Sequence, residues 1–483
     1  MSSTTNRDVL EGFDRDFKGR ARRCARYLHE LDEEVLLISH IDADGLTSAA
    51  VASQALERAG IPHQTRFSKQ LDVNDLDDIE VSGYGTVVFT DFGSGLLDEV
   101  LERDFHPVVA DHHQPACDSE HHLNPITFEV DGSNEISGAG TAYLLARFLG
   151  ELSGVDNRDL ASLAVVGAVG DMQDGVDGEF EGHNSAIVAE GEEKGVLEKK
   201  KDLMLYGRQT RPLPKLFEYS TDVYVPGISD NPGGARDFLR EAGIDLKSGS
   251  DWRCWTDLGD GEKSSVMNLF FEKCMERGVS PTKINGLVGY TYVLSGETMG
   301  SELRDASEFS TLLNSTARYD RADVGFKVCK GDRDDALVEA RELLMNHRRN
   351  IREGIDYVES TGVTKLEEIQ YFDAGSEIQD TIVGIIAGMS YSASGVSKSK
   401  PIIAFADTDD DKLDIEGGEK KVSGRATKRL VERGVDLAEL MENCAEKVSG
   451  VGGGHDIAAG ATVPEARIDE FLEYADAMVA EQK

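Results

Sequence analysis

Three short apolar, β-branched runs dominate the first 110 residues: "EVLLIS" at 34–39, "TVVFT" at 86–90 and "PVVA" at 107–110. The stretches between them include helical candidates such as "TSAAVASQALERAG". Strand and helix signals that alternate in this way predict a parallel sheet covered by helices. We therefore expect an N-terminal α/β domain built on such a sheet.

Acidic and histidine side chains follow each of these runs directly, where ligands of parallel sheets usually bind. They are His40, Asp42 and Asp44 after the first run, Asp91 after the second, and Asp111, His112 and His113 after the third. A fourth apolar segment, the small-residue helix predicted in "LASLAVVGAVGD", ends at Asp171. A single acid in such a place is more often a turn residue or a helix cap. Because four separate segments each end at an Asp or a His, these residues together indicate a functional site.

The spacing within the first group points to a cation. If the chain stays extended, His40, Asp42 and Asp44 lie at alternate positions and face the same way. Such a cluster is unfavourable unless a cation neutralises it. Oxygen and imidazole ligands without thiolate favour Mn²⁺, Mg²⁺ or Fe²⁺. The ligands exceed the needs of one ion, so we expect two ions about 3.5–4 Å apart and phosphoester hydrolysis as the reaction class.

The chain is strongly acidic, with 51 Lys and Arg against 90 Asp and Glu and a net charge of −39. Such a charge argues against a nucleic-acid partner, because phosphate contacts need local cations. The acids are spread along the whole chain, however, as in proteins of extreme halophiles, where molar salt screens charges to within about 3 Å. We expect a haloarchaeal cytoplasm, so that local cations say more about the substrate than net charge does.

Two classes of protein are disfavoured by the sequence. No apolar run reaches the length of a membrane span and the first residues do not resemble a secretory signal, so we expect a cytoplasmic protein without a membrane partner. The six cysteines are scattered without a C-x-x-C pair, which predicts free thiols.

A chain of 483 residues predicts two or three domains. We divide it into a catalytic domain at 1–187, an insertion that completes the catalytic lobe at 188–332, a long connecting helix at 333–364, and a smaller C-terminal α/β domain at 365–483. The stretch from 188 to 275 is polar and is predicted to be irregular.

Four motifs, "HIDADG", "TDFGSG", "ADHHQP" and "GAVGDMQD", resemble in order those of the DHH phosphoesterases, a family named after the third. The segments "HLNPITF" and "SGAGTAY" resemble the RecJ-like branch of that family. In the C-terminal part, "KVSGRAT" and "GGGHDIAAG" resemble the DHH-associated domain. The resemblance covers most of the chain, and residues 188–285 are the main part without a match.

This resemblance implies two Mn²⁺ ions, with Mg²⁺ as the alternative. The first ion would be held by His40, Asp42 and Asp91. The second would be held by Asp44, Asp91, His112 and Asp171, so that Asp91 bridges the two ions.

The same resemblance assigns the two remaining polar residues of the third motif. His113 would polarise the scissile phosphate or protonate the leaving oxygen, and Asp111 would orient an imidazole. His40 departs from bacterial RecJ-type proteins, which commonly carry an acid there.

The resemblance implies that residues of the C-terminal domain bind the substrate. Arg425 would pair with a phosphate through two hydrogen bonds. The glycines Gly452, Gly453 and Gly454 would let backbone N–H groups approach a second phosphate or the terminal nucleotide, and His455 would hydrogen-bond the same group.

The function implied is that of an archaeal RecJ-like, GINS-associated type of nuclease: a Mn²⁺-dependent exonuclease on single-stranded DNA or RNA in replication or repair. One alternative is a phosphodiesterase for short oligoribonucleotides, pAp or cyclic dinucleotides. Another is a replisome scaffold that binds GINS or a helicase. The polarity of cleavage, the choice between DNA and RNA, the oligomeric state and the protein partner stay open.

Overall fold

The computed structural model describes residues 12–220, 223–408 and 418–483. These residues form two compact units, of which the first ends at Arg341 and the second begins at Glu342. Residues 1–11, on which the expectation of a missing secretory signal partly rests, lie outside the described ranges. None of the helices in those ranges combines the length and apolar character that a membrane crossing needs.

A sheet of five parallel strands forms the centre of the first unit. Its strands are β1 (Val35–His40), β2 (His63–Ser68), β3 (Thr86–Thr90), β4 (His106–Ala110) and β5 (His122–Leu123). Their spatial order is β2-β1-β3-β4-β5. The three apolar runs are β1, β3 and β4, as predicted, and they lie side by side. Their carboxyl ends therefore meet at one edge of the sheet.

Helices pack around this sheet. They are α1 (Arg15–His29), α2 (Ala43–Ala59), α3 (Val73–Val81), α4 (Leu97–Val100), α5 (Gly138–Ser153), α6 (Ala161–Gly170) and α7 (Gly182–Lys194). The chain does not stay extended through Asp44, so the alignment of alternate positions considered for His40, Asp42 and Asp44 does not occur. The strand ends at His40, and Asp42 caps the next helix by accepting a hydrogen bond from the backbone N–H of Gly45 at 2.9 Å. An Asx cap at this point is more favourable than continued extension.

The middle of the chain forms a small core of its own. Its elements are β6 (Leu197–Leu203), α8 (Leu213–Glu218), α9 (Pro232–Glu241), β7 (Lys247–Ser248), β8 (Asp251–Trp252), α10 (Asp260–Glu276), α11 (Pro281–Asn285) and β9 (Val288–Leu294). The prediction of irregular structure from 188 to 275 is therefore wrong. The ring of Phe217 lies 5.1 Å from Phe238 and 5.0 Å from Phe270, and Trp255 is fully buried beside them.

Three helices follow: α12 (Ala306–Ala317), α13 (Ala322–Cys329) and α14 (Asp335–Thr361). The long helix predicted within 333–364 is α14, which has 27 residues. Its role as a connector, and the four domain boundaries proposed from the sequence, stay predictions.

The second unit contains a mixed six-stranded sheet. Its elements are β10 (Thr364–Lys365), β11 (Gln370–Asp373), α15 (Asp380–Met389), β12 (Ile402–Asp407), β13 (Glu419–Arg425), α16 (Lys428–Val431), α17 (Leu437–Lys447), β14 (Val451–Gly454), β15 (Ala458–Pro464) and α18 (Ile468–Gln482). The order is β10-β11-β12-β13-β15-β14, so that the glycine-rich β14 is an edge strand. The predicted fold class, a parallel α/β unit followed by a smaller α/β unit, is confirmed.

Candidate metal centre

The register of the first sheet brings the predicted ligands to one place. Ser39 of β1 pairs with Thr90 of β3, and Thr90 pairs with Ala110 of β4. The residues that come next in each segment therefore emerge side by side at the carboxyl edge. The three groups of candidate ligands at this edge are Asp91, Asp111, His112 and His113; His40, Asp42 and Asp91; and Asp44, His112 and Asp171.

One group lies at the mouth of the site. The Nδ1 atom of His40 is 3.1 Å from Oδ2 of Asp42 and 3.7 Å from Oδ2 of Asp91. The side chains of His40 and Asp42 are partly exposed, whereas that of Asp91 is buried. These are the residues that the sequence assigned to a first ion.

A second group, formed by Asp44, His112 and Asp171, is deeper and centres on His112. Its Nε2 atom is 3.3 Å from Oδ1 of Asp91, 3.3 Å from Oδ2 of Asp171 and 3.8 Å from Oδ2 of Asp44. The opposite ring nitrogen, Nδ1, is 2.6 Å from the carbonyl oxygen of Gly132. A ring that donates its Nδ1–H to this carbonyl presents the lone pair of Nε2 to the three carboxylates, as in histidines that bind metals.

The start of helix α5 fixes the carboxylate of Asp44. Its Oδ2 accepts a hydrogen bond from the backbone N–H of Gly138 at 2.7 Å. Its Oδ1 accepts from the backbone N–H of Ala139 at 3.0 Å and from Oγ of Ser137 at 2.9 Å. The N-terminus of a helix stabilises a negative charge. A Cβ on Gly138 would lie 2.4 Å from Oδ1 of Asp91, so the close approach of α5 depends on this glycine.

Asp91 belongs to both groups and has a strained backbone. Its φ of 61° is in the left-handed region, which residues other than glycine rarely adopt. The residue is buried directly after β3, and its N–H donates to the carbonyl of Ala110 at 3.0 Å. Local strain of this kind is typical of functional sites. The bridging role that the resemblance implies for Asp91 stays a prediction.

The protonation equilibria show that the site attracts positive charge. Burial and the neighbouring carboxylates of Asp91 and Asp171 raise the pKa of Asp44 well above its usual range. Burial also raises the pKa of Asp171 to about 6. For the two histidines, burial lowers the pKa, but the surrounding carboxylates have the larger effect. They raise the pKa of His112 well above its ordinary value and that of His40 to about 11. A metal cation would supply the positive charge that these protons otherwise provide.

Among the described side chains of this site, two buried atoms have no hydrogen-bond partner: Oδ1 of Asp91 and Nε2 of His112. A buried polar atom left unpaired costs about 1–3 kcal/mol. Both atoms face the same small space and are 3.3 Å apart. Carboxylate oxygen and imidazole nitrogen are suitable ligands for Mn²⁺ or Mg²⁺. The residues present therefore fit a divalent metal centre.

Asp111 and His113 form a separate arrangement beside the ligands. Oδ1 of the buried Asp111 accepts from the backbone N–H of His112 at 2.7 Å and lies 2.8 Å from Nδ1 of His113. Its Oδ2 accepts from the backbone N–H of Ser94 at 3.0 Å. Burial opposes the charge on Asp111, but the hydrogen bond to His113 dominates and lowers its pKa to about 2. Asp111 thus holds the half-exposed ring of His113 in place.

Two features of this site were missed in the sequence. Gln173 is buried, and its Nε2 donates to the carbonyl of Gly132 at 2.9 Å, the same carbonyl that contacts His112. A cleft of about 270 Å³ also opens beside the ligands, and Lys69 and Gln70 contribute to its wall. They follow β2, a partly polar edge strand that lacks the apolar run used to recognise the others.

The predicted substrate-binding residues of the second unit lie at one end of its sheet. Arg425 closes β13 and pairs in register with Ala458 of β15. The glycines at 452–454 form β14, and Gly454 pairs with Ala459, next to Ala458. His455 follows directly and is exposed. Arg425 and the glycines thus lie on β-strands of one sheet, and His455 directly follows β14.

Three family domains match the chain in order. Residues 34–168 match the DHH family N-terminal domain, residues 205–288 the DHH-CID domain, and residues 367–481 the DHHA1 domain. An uncharacterized protein of Methanocaldococcus jannaschii is 30% identical over 458 residues, which cover 93% of this chain and 94% of that protein. The chain belongs to the DHH family. The DHH-CID match also accounts for most of the region that the motifs left unplaced.

Solved structures show which fold this DHH protein shares. RecJ from Thermus thermophilus in complex with Mn²⁺ matches with a TM-score of 0.57 and 18% identity over 98% of this chain, and it has also been solved with Mg²⁺. The chain spans only 55% of that RecJ. CDC45 from Entamoeba histolytica matches with a TM-score of 0.63 and 12% identity, covering 96% of this chain and 98% of the other. At these identities the likeness shows the fold alone, which is RecJ-like. Family and fold together support a DHH nuclease or phosphoesterase.

Proposed function

We propose that this DHH protein is a Mn²⁺-dependent exonuclease that hydrolyses phosphodiester bonds at an end of single-stranded DNA or RNA, in replication or repair. One observation carries the proposal. Buried carboxylates and an imidazole converge at a sheet edge, where the buried Oδ1 of Asp91 and Nε2 of His112 have no hydrogen-bond partner. Such a centre, open to a cleft, suits the hydrolysis of phosphoesters.

Two groups of side chains would hold the ions. His40, Asp42 and Asp91 would hold one, and Asp44, Asp91, His112 and Asp171 the other. When bound, two divalent ions supply an activated water and stabilise the charge on the phosphoryl oxygens. The chain itself supplies rigidity: the start of α5 fixes Asp44, and the carbonyl of Gly132 fixes the ring of His112.

His113 is the residue that we assign to the substrate. Its Nδ1 is held by Asp111, which leaves Nε2 for an oxygen of the scissile phosphate or for the leaving oxygen. A positioned general acid of this kind contributes about 10²–10⁴-fold to a rate.

In the second unit, Arg425, the backbone of the glycines at 452–454 and the side chain of His455 would bind phosphate or the terminal nucleotide. Their common position at one end of the sheet supports this assignment.

The test is digestion of end-labelled single-stranded DNA and RNA with Mn²⁺, with products resolved by length. We propose a haloarchaeal cytoplasm as the setting, so the reaction is run in molar KCl. We expect stepwise shortening by the wild type and none by Asp91→Asn. Asp98→Asn, an exposed acid in α4, is the matched control and keeps full activity. Normal hydrolysis by the Asp91 variant would contradict the proposal.

The substrate alternative is tested by length. If the protein turns over a 5-mer but leaves a 40-mer intact, the phosphodiesterase for short oligoribonucleotides, pAp or cyclic dinucleotides becomes the better proposal.

The likeness to CDC45 over almost the whole of both chains favours a second candidate function, a replisome scaffold that binds GINS or a helicase. Against a purely structural role stands the complete set of candidate ligands at the metal centre. Purified protein that captures such a partner but shows no Mn²⁺-dependent hydrolysis would establish the scaffold instead.

A further inference from the structure

The carboxyl edge of the first sheet also includes the end of β2, which the metal ligands do not use. Ser68, the last residue of β2, pairs in register with His40 of β1. Lys69 is the next residue and therefore leaves the sheet beside the metal centre. It contributes to the wall of the cleft together with His40 and Asp42.

The lining of this cleft is chemically divided. Acidic and histidine side chains of the metal centre form part of it, and Leu71, Phe92 and Leu96 contribute apolar surface. Among the described residues that line the cleft, Lys69 carries the single ammonium or guanidinium group. A volume of about 270 Å³ is close to the smallest pockets that hold organic ligands, about 300 Å³. The space suits one nucleoside with an adjoining phosphate.

Lys69 pairs with an acid from the loop after α12. Its Nζ is 2.7 Å from Oδ1 of Asp320, and the two side chains are 46% and 64% exposed. An exposed ion pair of this kind is weak and easily exchanged for another anion. Asp320 has a left-handed φ of 55°, where a helix end usually carries glycine or asparagine. This position thus holds a carboxylate where backbone geometry favours a residue without charge.

We propose that Lys69 binds a backbone phosphate of the nucleic-acid strand, next to the phosphate that reacts, and that Asp320 competes with this phosphate in the free protein. The nucleoside attached to the bound phosphate lies against Leu71, Phe92 and Leu96. The inference rests on the proposed function in taking single-stranded nucleic acid as the substrate.

The test measures binding without relying on hydrolysis. A fluorescein-labelled single-stranded oligothymidylate is titrated with full-length protein by fluorescence anisotropy, with Ca²⁺ in place of Mn²⁺ and at several KCl concentrations. For Lys69→Gln we expect about tenfold weaker binding and a slope of log K against log [KCl] that is smaller by about 0.7, the value for one phosphate contact in a single strand. For Asp320→Asn, which keeps the backbone conformation, we expect about threefold tighter binding.

Two further variants complete the design. The double variant should bind like Lys69→Gln alone, because Asp320 acts only through Lys69. Lys200→Gln is the matched control: Lys200 lies on β6, pairs with Glu198 at 2.8 Å, and both side chains are 47% exposed. It should change neither the affinity nor the salt slope.

A purely structural ion pair predicts a different pattern, in which Lys69→Gln and Asp320→Asn change affinity in the same direction or leave it unchanged. Either result, or a wild type that does not bind the oligothymidylate, overturns the inference. If the wild type hydrolyses no nucleic acid but the expected changes in binding appear, the exonuclease proposal fails, whereas the binding of a strand phosphate by Lys69 in competition with Asp320 stands. Hydrolysis by a wild type whose salt slope does not depend on Lys69 supports the exonuclease proposal and overturns this inference.

Discussion

The metal centre of the first unit and the glycine-rich end of the sheet in the second unit differ in one respect. Packing of the fold accounts for the residue types at the second site but not for those at the first. At the metal centre, buried carboxylates repel one another, Asp91 is strained, and two buried atoms lack partners. None of this stabilises the fold. At the glycine-rich end, most residues also have a packing role. A site that is unfavourable without its ligand indicates the chemistry of that ligand, whereas a site built from packing residues does not.

The glycines of β14 illustrate the second case. A Cβ on Gly452 would lie 2.4 Å from the carbonyl oxygen of Met441, and one on Gly454 would lie 2.6 Å from Cα of Ala459. Both glycines are therefore required by packing. A Cβ on Gly453 would meet no atom within 4 Å. Of the three, only Gly453 is a glycine for which packing gives no reason.

The largest effect on hydrolysis is expected from replacing, one at a time, the two adjacent histidines of the metal centre. His113→Ala should slow hydrolysis by about 10²–10⁴-fold and leave Mn²⁺ binding unchanged, because we assign its ring, held at Nδ1 by Asp111, to the substrate rather than to an ion. His112→Ala should weaken Mn²⁺ binding by more than about tenfold. Electron paramagnetic resonance of free Mn²⁺ measures the binding. Equal loss of Mn²⁺ in both variants would show that the two rings share one role.

The next effect tests whether the fold holds the ligands close together. In Gly138→Ala, the new methyl group would meet Oδ1 of Asp91 at 2.4 Å and Oδ2 of Asp44 at 2.9 Å. We expect about 10–100-fold weaker Mn²⁺ binding, the range for losing a residue that orients a ligand. Gly261→Ala in α10 is the control, because its Cβ would meet no atom within 4 Å. It should raise stability by about 0.5–1 kcal/mol and leave Mn²⁺ binding unchanged.

The sequence was sufficient to predict which residues come together at this sheet edge but not their geometry. His40, Asp42 and Asp44 converge because β1 stops at His40 and Asp42 starts a helix, not because an extended strand aligns them. The same three residues lie at this site in either conformation, because the strand ends and the helix begins at the same carboxyl edge of the sheet. Backbone capping is a local competition that side-chain periodicity alone does not reveal.

Two other parts of the structure, β2 and the core of the middle region, were not predicted, because their sequences also lack a local pattern that reveals them. β2 has the sequence "HQTRFS" and is only partly buried, so it gives no apolar run, and Lys69 after it was overlooked. In the middle of the chain, the core residues Phe217, Phe238 and Phe270 are separated by polar stretches. Their contacts join residues far apart in sequence, which local patterns do not show.

A smaller effect distinguishes ligand binding from packing in β14. Gly453→Ala should fold normally and weaken binding of a single-stranded oligonucleotide by about tenfold if backbone N–H groups contact the substrate. Gly452→Ala should instead lower the thermal midpoint, because its methyl group would overlap the carbonyl of Met441. Thermal unfolding and anisotropy titration measure the two quantities. Unchanged affinity in Gly453→Ala would leave the glycines with a packing role alone.

The smallest effect is expected at Arg425, whose guanidinium lies against helix α15. A Cβ on Gly384 would be 2.4 Å from Nη2 of Arg425, whereas a Cβ on Gly388 would be 3.7 Å from Cγ of the same side chain. Gly384→Ala should therefore displace the guanidinium and weaken oligonucleotide binding about threefold, since a flexible side chain moves without loss of the fold. Gly388→Ala makes only an ordinary contact and should bind like the wild type. Arg425→Gln should weaken binding at least as much as Gly384→Ala, and combining the two should add little, because both remove one contact. If Gly384→Ala binds normally while Arg425→Gln does not, the guanidinium reaches the substrate from a second position, and its place beside Gly384 is unrelated to binding.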